Sequence, residues 1–194
     1  MTKFIVYLTK CIVLVITILL LASCKTNWDF GDGVKGNGNV TTQTRPATEI
    51  FSKIKVQQGI IVNVTQATNQ NIEVKADDNL QNLIETKIAN GVLTISAKES
   101  YNSKSTPTVS VSLKAIAGLI ASSGAIINSV GMLSSTNLDV ESSSGSIVKI
   151  DVEADNLSLD SSSGSIIETN GKALKLQTSA FFRNRSIQYY GNSQ

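Results

Sequence analysis

Apolar and polar residues alternate with a period of two near the C-terminal end of the chain. Leu138 and Val140 alternate with two acidic residues, which is the pattern of a half-buried β-strand. Ser-Ser-Ser-Gly follows, and both residue types favour a sharp turn. Apolar residues resume at Ile147. The pattern predicts a strand, a turn and a second strand, with Leu138 and Val140 facing inward.

This arrangement is repeated. Asn137–Ile147 is followed 19 residues later by the closely similar Asn156–Ile166. Ser122–Ile126 is a fainter copy, and Ala173–Ser179 begins another. Repetition at about 20 residues is typical of a solenoid, in which each copy is one coil that buries its apolar face against its neighbours.

Stacking of the copies should place like residues on one another, about 4.8 Å apart. Leu138 would lie beside Leu157, Ile147 beside Ile166, and the turn glycines beside each other. The segments are β-branched, serine-rich and broken by glycine, so they do not favour helix. The repeats therefore predict an all-β, parallel β-solenoid.

The N-terminal half of the domain shows strand patterns without the repeat. Ile60, Val62 and Val64 alternate with more polar positions. Residues 85–89 and 92–98 flank Asn90-Gly91, a dipeptide that readily forms the tight turn of a β-hairpin. We therefore expect antiparallel hairpin elements before the parallel coils.

The first residues have the pattern of a bacterial export signal. Lys3 and Lys10 precede an apolar run that ends in Leu-Ala-Ser before Cys24, which resembles a lipoprotein signal cleaved ahead of an acylated cysteine. The run is shorter than the about 20 residues of a membrane span. The sequence predicts a signal peptide over residues 1–23, lipidation at Cys24, a flexible tether over 24–44 and a domain over 45–194. An ordinary signal peptide is the alternative.

Composition excludes several classes of function. The chain has no histidine, and removing Lys3 and Lys10 from its 17 basic residues leaves 15 against 15 acidic ones. Nucleic acid is therefore not an expected partner. Cys11 leaves with the signal and Cys24 is used by lipid, so no thiol remains for metal binding or catalysis. We expect no catalytic residue, no cofactor and no metal site.

Several motifs occur in an order that resembles the head GIN domain family, a group of proposed auto-transporter adhesins found as lipoproteins in Bacteroidetes. The motifs are Gly36-Asn-Gly-Asn-Val40, Arg45, Phe51-Ser-Lys-Ile54, Gly59-Ile-Ile-Val62, Ala76-Asp-Asp-Asn-Leu80, Asn90-Gly-Val-Leu-Thr-Ile95 and the Ser-Ser-Gly coils. The resemblance runs from about Gly36 nearly to the end. It implies a right-handed parallel β-solenoid of the pectate-lyase-like type and a role in adhesion, with no established catalytic residue.

The last copy departs from the repeat. Ala180–Arg185 stands where the Ser-Ser-Gly turn is expected. Its aromatic pair, Phe181 and Phe182, together with Tyr189 and Tyr190, could cap the solenoid or form a binding edge. A local coding irregularity is a further alternative.

Two carboxylates are predicted to lie side by side. Stacking would place Glu141 beside Asp160, with the turn serines 142–144 beside 161–163. Such a pair could bind calcium or catalyse glycoside cleavage, or it could be part of a solvated ladder of exposed side chains. Asp151, Glu153 and Asp155 alternate with apolar residues and are likewise expected to face outward.

Three functions are compatible with these features. The first is a non-catalytic, lipid-anchored cell-envelope protein that presents a repetitive surface to glycan or protein as an adhesion module. The second is an envelope assembly component that forms homo-oligomers through its solenoid edges. The third, a polysaccharide-active enzyme, rests on fold analogy alone. The expected location is the outer membrane, on either its periplasmic face or the cell surface.

Overall fold

The structure is a computed structural model that describes Tyr7, Lys10 and residues 12–14, 33–181 and 186–193; of residues 180, 181 and 186–193 it describes the backbone. The chain divides into two units, Met1–Asp32 and Gly33–Gln194. In the first unit the described residues are helical and exposed. Among all described residues, no helix has the length and apolar character needed to cross a membrane. Cys24, the predicted lipidation site, lies outside the described residues.

The described part of the second unit is built from β-strands, with one short 3-10 turn at Asp78–Leu80. The strands are β1 (Val34–Lys35), β2 (Val40–Arg45), β3 (Lys53–Val56), β4 (Ile61–Gln66), β5 (Asn71–Asp77), β6 (Ile84–Ala89), β7 (Val92–Ala97), β8 (Tyr101–Asn102), β9 (Thr108–Leu113), β10 (Gly118–Ala121), β11 (Ile126–Ser142), β12 (Ile147–Ser162), β13 (Ile166–Phe181) and β14 (Ser186–Ser193).

Twelve of these strands form a single mixed sheet. Its order is β2-β5-β9-β4-β11-β10-β3-β7-β6, with β12, β13 and β14 following in turn from β11. Strand β5 is antiparallel to β2 and β9, and β6 is antiparallel to β7, whereas the other pairs are parallel. The sheet is nearly closed and barrel-like. The prediction of a right-handed parallel β-solenoid is therefore wrong.

The sheet is not a parallel solenoid because of how the strands of the N-terminal half are connected. Asn90 and Gly91 adopt positive φ angles of 52° and 73°, so the chain reverses within two residues and β6 must run antiparallel to β7. The predicted hairpin is confirmed. Strand β5 likewise returns beside β9 in the opposite direction. The repeat, from which the parallel solenoid was extrapolated, covers only the C-terminal part of the sheet.

Residues 40–44 of strand β2 lie in the stretch that the sequence assigned to a flexible tether, residues 24–44, and Arg45 is the first residue of the predicted domain. The six residues of β2 pair with Ile72–Asp77 of β5, and the Arg45 guanidinium donates to the Gln81 carbonyl oxygen at 2.7 Å. The strand is rich in threonine, which favours extended structure, but its side chains are mostly exposed. Because β2 lacks the apolar alternation of a half-buried strand, the sequence pattern did not reveal it.

The register predicted for the repeats is confirmed. Leu138 pairs with Leu157, and Ile147 pairs with Ile166. Leu138 and Leu157 are fully buried, as is Val140. The repeats over β11 and β12 therefore contribute inward apolar side chains at equivalent positions to one continuous core.

The isoleucine after each turn faces outward. Ile61, Ile126, Ile147 and Ile166 form a half-buried row across the sheet, whereas the residue after each of them is completely buried. Pairs such as Ile166-Ile167 are apolar at both positions, so composition alone does not show which one enters the core. The pleat decides it, because successive side chains point to opposite faces.

Buried serines hold the turns of the repeats together. The hydroxyl oxygens of Ser142 and Ser146 are 2.8 Å apart, and Ser146 donates to the Ala121 carbonyl oxygen of the preceding coil, 2.9 Å away. Ser161 and Ser165 repeat the arrangement, with Ser165 reaching the Ser142 carbonyl oxygen at 2.6 Å. These contacts join each turn to its neighbour within the core.

We expect Ser146→Ala to lower the free energy of unfolding by about 1–3 kcal/mol, because the buried Ser142 hydroxyl loses its closer partner and keeps only the Ser146 carbonyl oxygen at 3.3 Å. Denaturant unfolding of the full chain measures this. The chain offers a matched control, since the preceding turn has Ala121 and Ala125 at the equivalent positions. The double variant Ser142→Ala/Ser146→Ala should therefore cost less than the single one. A larger loss in the double variant would contradict this role for the serine pair.

A polar loop, Gly36–Asn39, covers the 3-10 turn. The amide of Asn39 donates to Asp78 at 2.8 Å, and the Asn37 amide donates to the other oxygen of the same carboxylate. These two amides hold the pKa of the Asp78 carboxyl below its ordinary value of 3.8. The loop approaches closely because residue 36 is glycine: a Cβ there would lie 1.8 Å from Asp77 Oδ2.

The lowered pKa of Asp78 predicts a specific loss of stability in acid. A carboxyl whose pKa is lower when folded stabilises the fold above its unfolded value, here 3.8, and loses that contribution as the pH falls through the folded value. Between pH 6 and about pH 3 the advantage of the wild-type chain over Asp78→Asn should therefore shrink. Unfolding measured across this range tests it. Replacing Asn37 and Asn39 with alanine should reduce the same pH dependence, and an unchanged dependence in that variant would contradict the assignment.

Candidate functional site

The three longest strands bend at the same place, and the bend forms a groove. In β11, β12 and β13 the paired register omits Thr136, Asp155 and Leu174. Inward-facing residues are therefore three apart at this point, as in Ala154 and Leu157, instead of two. The groove at the bend, which we call the corner groove, has a volume of about 760 Å³. It is lined by Ser134, Ser135, Thr136, Glu153, Ala154, Asp155, Lys172, Ala173 and Leu174.

Hydrogen bonds at one end fix the shape of the groove. The Gln66 side chain accepts from the Ser134 backbone amide at 2.7 Å and donates to its carbonyl oxygen at 3.0 Å. The Ser135 hydroxyl donates to the Ile116 carbonyl oxygen, 2.7 Å away. The backbone of this rim is therefore held in place before any ligand arrives.

The charged side chains of the groove are available for contacts. Ser134, Glu153 and Lys172 occupy one register row across the three strands, and all three are exposed. Within the described part of the chain, the side chains of Glu153, Asp155 and Lys172 make no hydrogen bond or ion pair. The groove thus presents two carboxylates, one ammonium group and a hydroxyl to solvent.

A second depression of about 460 Å³ adjoins the corner groove on the same strands. Its walls include Asn137 and Asn156, whose side chains are joined by a hydrogen bond of 2.8 Å. Asp139, Ser158 and Gln177 form the next outward row. The polar surface therefore extends along the strands beyond the corner groove.

The carboxylate pair predicted from the repeats does come together. Glu141 and Asp160 are register partners on β11 and β12, and both are exposed. Asp160 accepts from the Ser179 hydroxyl at 3.1 Å. Over the residues that the structure describes, no group of three or more acidic, histidine or cysteine side chains could hold a metal ion.

The other predicted site residues lie partly or wholly outside the described side chains. Phe181, Tyr189 and Tyr190 belong to β13 and β14, of which the backbone is described at these positions. Phe182–Arg185 lie outside the described residues, as does Cys24. The proposed cap or binding edge at Ala180–Arg185 and the lipidation of Cys24 stay predictions.

Glu153 and Asp155 were predicted to face outward, and the structure confirms that both are exposed. Their place in a groove was not predicted. The available signal was the break in the two-residue alternation at Asp155-Asn156 and again at Leu174-Lys175. A break at the same position in consecutive repeats indicates that every coil bends there.

Comparisons with known proteins identify the family. The family described as "Putative auto-transporter adhesin, head GIN domain" matches residues 50–181. No curated protein shows a significant match to the chain.

Solved structures are similar over most of the chain. A "putative adhesin" from Parabacteroides merdae is 26% identical with a TM-score of 0.68, over 74% of this chain and 61% of that one. The chain therefore spans about three fifths of the length of that relative. A "putative adhesin" from Parabacteroides distasonis has 19% identity and a TM-score of 0.55, covering 82% of both chains. A third, from Bacteroides fragilis, has 13% identity and a TM-score of 0.55, over 82% of this chain and 97% of that one.

The match covers 132 of the 194 residues, from the segment before β3 to the end of β13. It includes the hairpin, the serine turns and all the strands that form the corner groove. The resemblance inferred from the order of the motifs is confirmed, and the chain belongs to the head GIN domain family.

Proposed function

We propose that this protein is a non-catalytic binding module of the bacterial cell envelope, anchored by lipid at Cys24, that attaches to glycan or protein through the polar face of its sheet. The observation that carries the proposal is the corner groove, where charged side chains that have no partner in the described part of the chain are held on a hydrogen-bonded backbone. Membership of an adhesin family supports a binding role and an association with the cell envelope or surface.

The mechanism is multivalent attachment. The strands of the repeats present equivalent positions at intervals of about 4.8 Å, so a ligand meets several weak contacts on a rigid surface. Dense display of the protein on a membrane would multiply these contacts, because each bound copy raises the effective concentration for the next. Two acyl chains at Cys24 would provide stable anchoring, since each buried methylene contributes about 0.8 kcal/mol.

Two measurements on intact cells test location and anchoring. Protease treatment of cells that express the full chain should digest the protein while a periplasmic control survives, and Cys24→Ala should abolish incorporation of a labelled fatty acid. Protection until the outer membrane is opened would contradict the adhesin role and favour a periplasmic one. Continued labelling of Cys24→Ala would contradict lipidation at that residue.

A second candidate function is self-assembly in the envelope. Strand β14 pairs only with β13 among the described strands, and an edge strand with free backbone groups can pair with another copy. Sedimentation of the full chain in detergent should then show concentration-dependent association that charged substitutions at Phe181 and Phe182 abolish. A monomer at all concentrations would exclude this candidate.

The glycoside-cleaving alternative has a direct test. Glu141 and Asp160 are the neighbouring exposed carboxylates that such chemistry would use. We expect no turnover of neutral or acidic polysaccharides by the full chain. Turnover that is lost in Glu141→Gln or Asp160→Asn would establish an enzyme and overturn the non-catalytic proposal.

A further inference from the structure

We propose that the corner groove is a binding site for a neutral oligosaccharide of two or three sugar units. This inference rests on the proposed binding function and names both the site and the class of ligand. The groove's volume of about 760 Å³ lies within the range of small-ligand sites, about 300–1,000 Å³.

The polar groups of the groove match the hydroxyl groups of a sugar. Glu153 and Asp155 are hydrogen-bond acceptors, two residues apart on one strand, and Lys172 is a donor on the next. Because these side chains have no partner among the described residues, a ligand does not have to break existing contacts. Hydrogen bonds to charged groups are also the stronger ones, which suits recognition of neighbouring hydroxyls.

The apolar parts of the groove match the C–H face of a sugar ring. Leu174 is 55% exposed on one wall. Ala154 and Ala173 are register partners that also line the groove, but both are buried and belong to the core, so Leu174 provides the exposed apolar surface. Burial of the leucine side chain against the ring would add to binding at roughly 25 cal/mol per Å² of apolar surface.

The charge of the groove argues against anionic ligands. Two carboxylates face one ammonium group, so phosphate groups and the carboxylates of acidic sugars would meet net repulsion. A protein partner is also less suited, because stable protein interfaces bury about 800 Å² on each side around aromatic or aliphatic anchors. Among the described residues, Leu174 is the only large apolar side chain that lines the groove.

The direction of the strands suggests how the ligand lies. Equivalent positions on β11, β12 and β13 recur about every 4.8 Å across the sheet, which is close to the length of one sugar unit in an extended chain. An oligosaccharide that crosses the strands would therefore place one unit near each of Ser134, Glu153 and Lys172. This geometry limits the site to two or three units.

The test is binding of the full chain, in detergent, to an array of neutral, amino-substituted and acidic glycans, followed by titration with the neutral trisaccharides that bind. Glu153→Gln/Asp155→Asn should lower affinity about tenfold or more, which corresponds to about 1.4 kcal/mol. Leu174→Ala should weaken binding by a smaller factor. Circular dichroism and the Tm of each variant check that the fold is kept.

The chain provides a matched control for the carboxylates. Glu141→Gln/Asp160→Asn removes two exposed carboxylates from the same strands outside the groove and should leave affinity unchanged. Affinity should also change little with salt, because the ligand carries no charge to be screened.

The outcomes separate this inference from the proposed function. If neutral glycans bind but the groove variants keep full affinity, the assigned site is wrong and the binding function stands. If only acidic glycans or proteins bind, the ligand class is wrong while adhesion of expressing cells still supports a binding module. If no glycan binds and expressing cells adhere no better than cells without the protein, both proposals fail.

Discussion

Gly171→Ala should destabilise the protein by roughly 4 kcal/mol or more, a loss at the upper end of single substitutions. Gly171 lies on β13 beside Val152 of β12. A Cβ at this position would lie 1.8 Å from the Val152 carbonyl oxygen. The obstacle is backbone, so relief requires the two strands to separate. The φ angle of +137° adds strain for any residue with a side chain.

Gly164→Ala is the matched control for this prediction. Gly164 also has a positive φ, +75°, but no atom lies within 4 Å of the added Cβ. Its cost should be limited to the backbone conformation, about 1–2 kcal/mol. Denaturant unfolding of the full chain measures both variants. Equal losses would show that the close approach of β12 and β13 does not constrain residue 171.

Leu157→Ala should lower the free energy of unfolding by about 2–5 kcal/mol. Leu157 is fully buried between its register partners Leu138 and Leu176, and it belongs to the core shared by successive coils. Removing its side chain loses apolar burial and leaves a cavity, because the backbone ladders on both sides prevent collapse.

Leu174→Ala is the control that shows whether the stability loss of Leu157→Ala depends on burial. The residue is also a leucine of the repeat region, but it is 55% exposed. Its loss should change stability by about 0.5 kcal/mol or less, even though it should weaken glycan binding. If both leucines cost the same in thermal or denaturant unfolding, the inward and outward assignments along β12 and β13 are not correct.

Patterns of residue type within short segments made much of the C-terminal half predictable. The two-residue alternation placed Leu138, Val140 and Leu157 inside, and the Ser-Ser-Gly repeat predicted the turns and the register. The Asn90-Gly91 dipeptide predicted the hairpin. Each of these depends on backbone preferences or side-chain patterns that act within a few residues, or on a repeat whose copies must pair alike.

Other features required the tertiary structure. Strand β2 has few apolar residues, so only its pairing with β5 reveals it. The corner groove arises because three strands bend at one level, which brings Glu153 and Lys172 together from separate copies of the repeat. The serine pairs show their role only when the neighbouring coil provides a carbonyl acceptor.

The all-β class, the stacking of the repeats and the family could all be predicted from the residue pattern. What could be known only from the assembled fold is that the antiparallel and parallel strands join in one nearly closed sheet instead of a parallel solenoid. The physical reason is that strand direction in the N-terminal half depends on which distant strands accept the backbone hydrogen bonds of β2, β5 and β9. Side-chain alternation is the same for a strand that runs in either direction, so it contains no information about that choice.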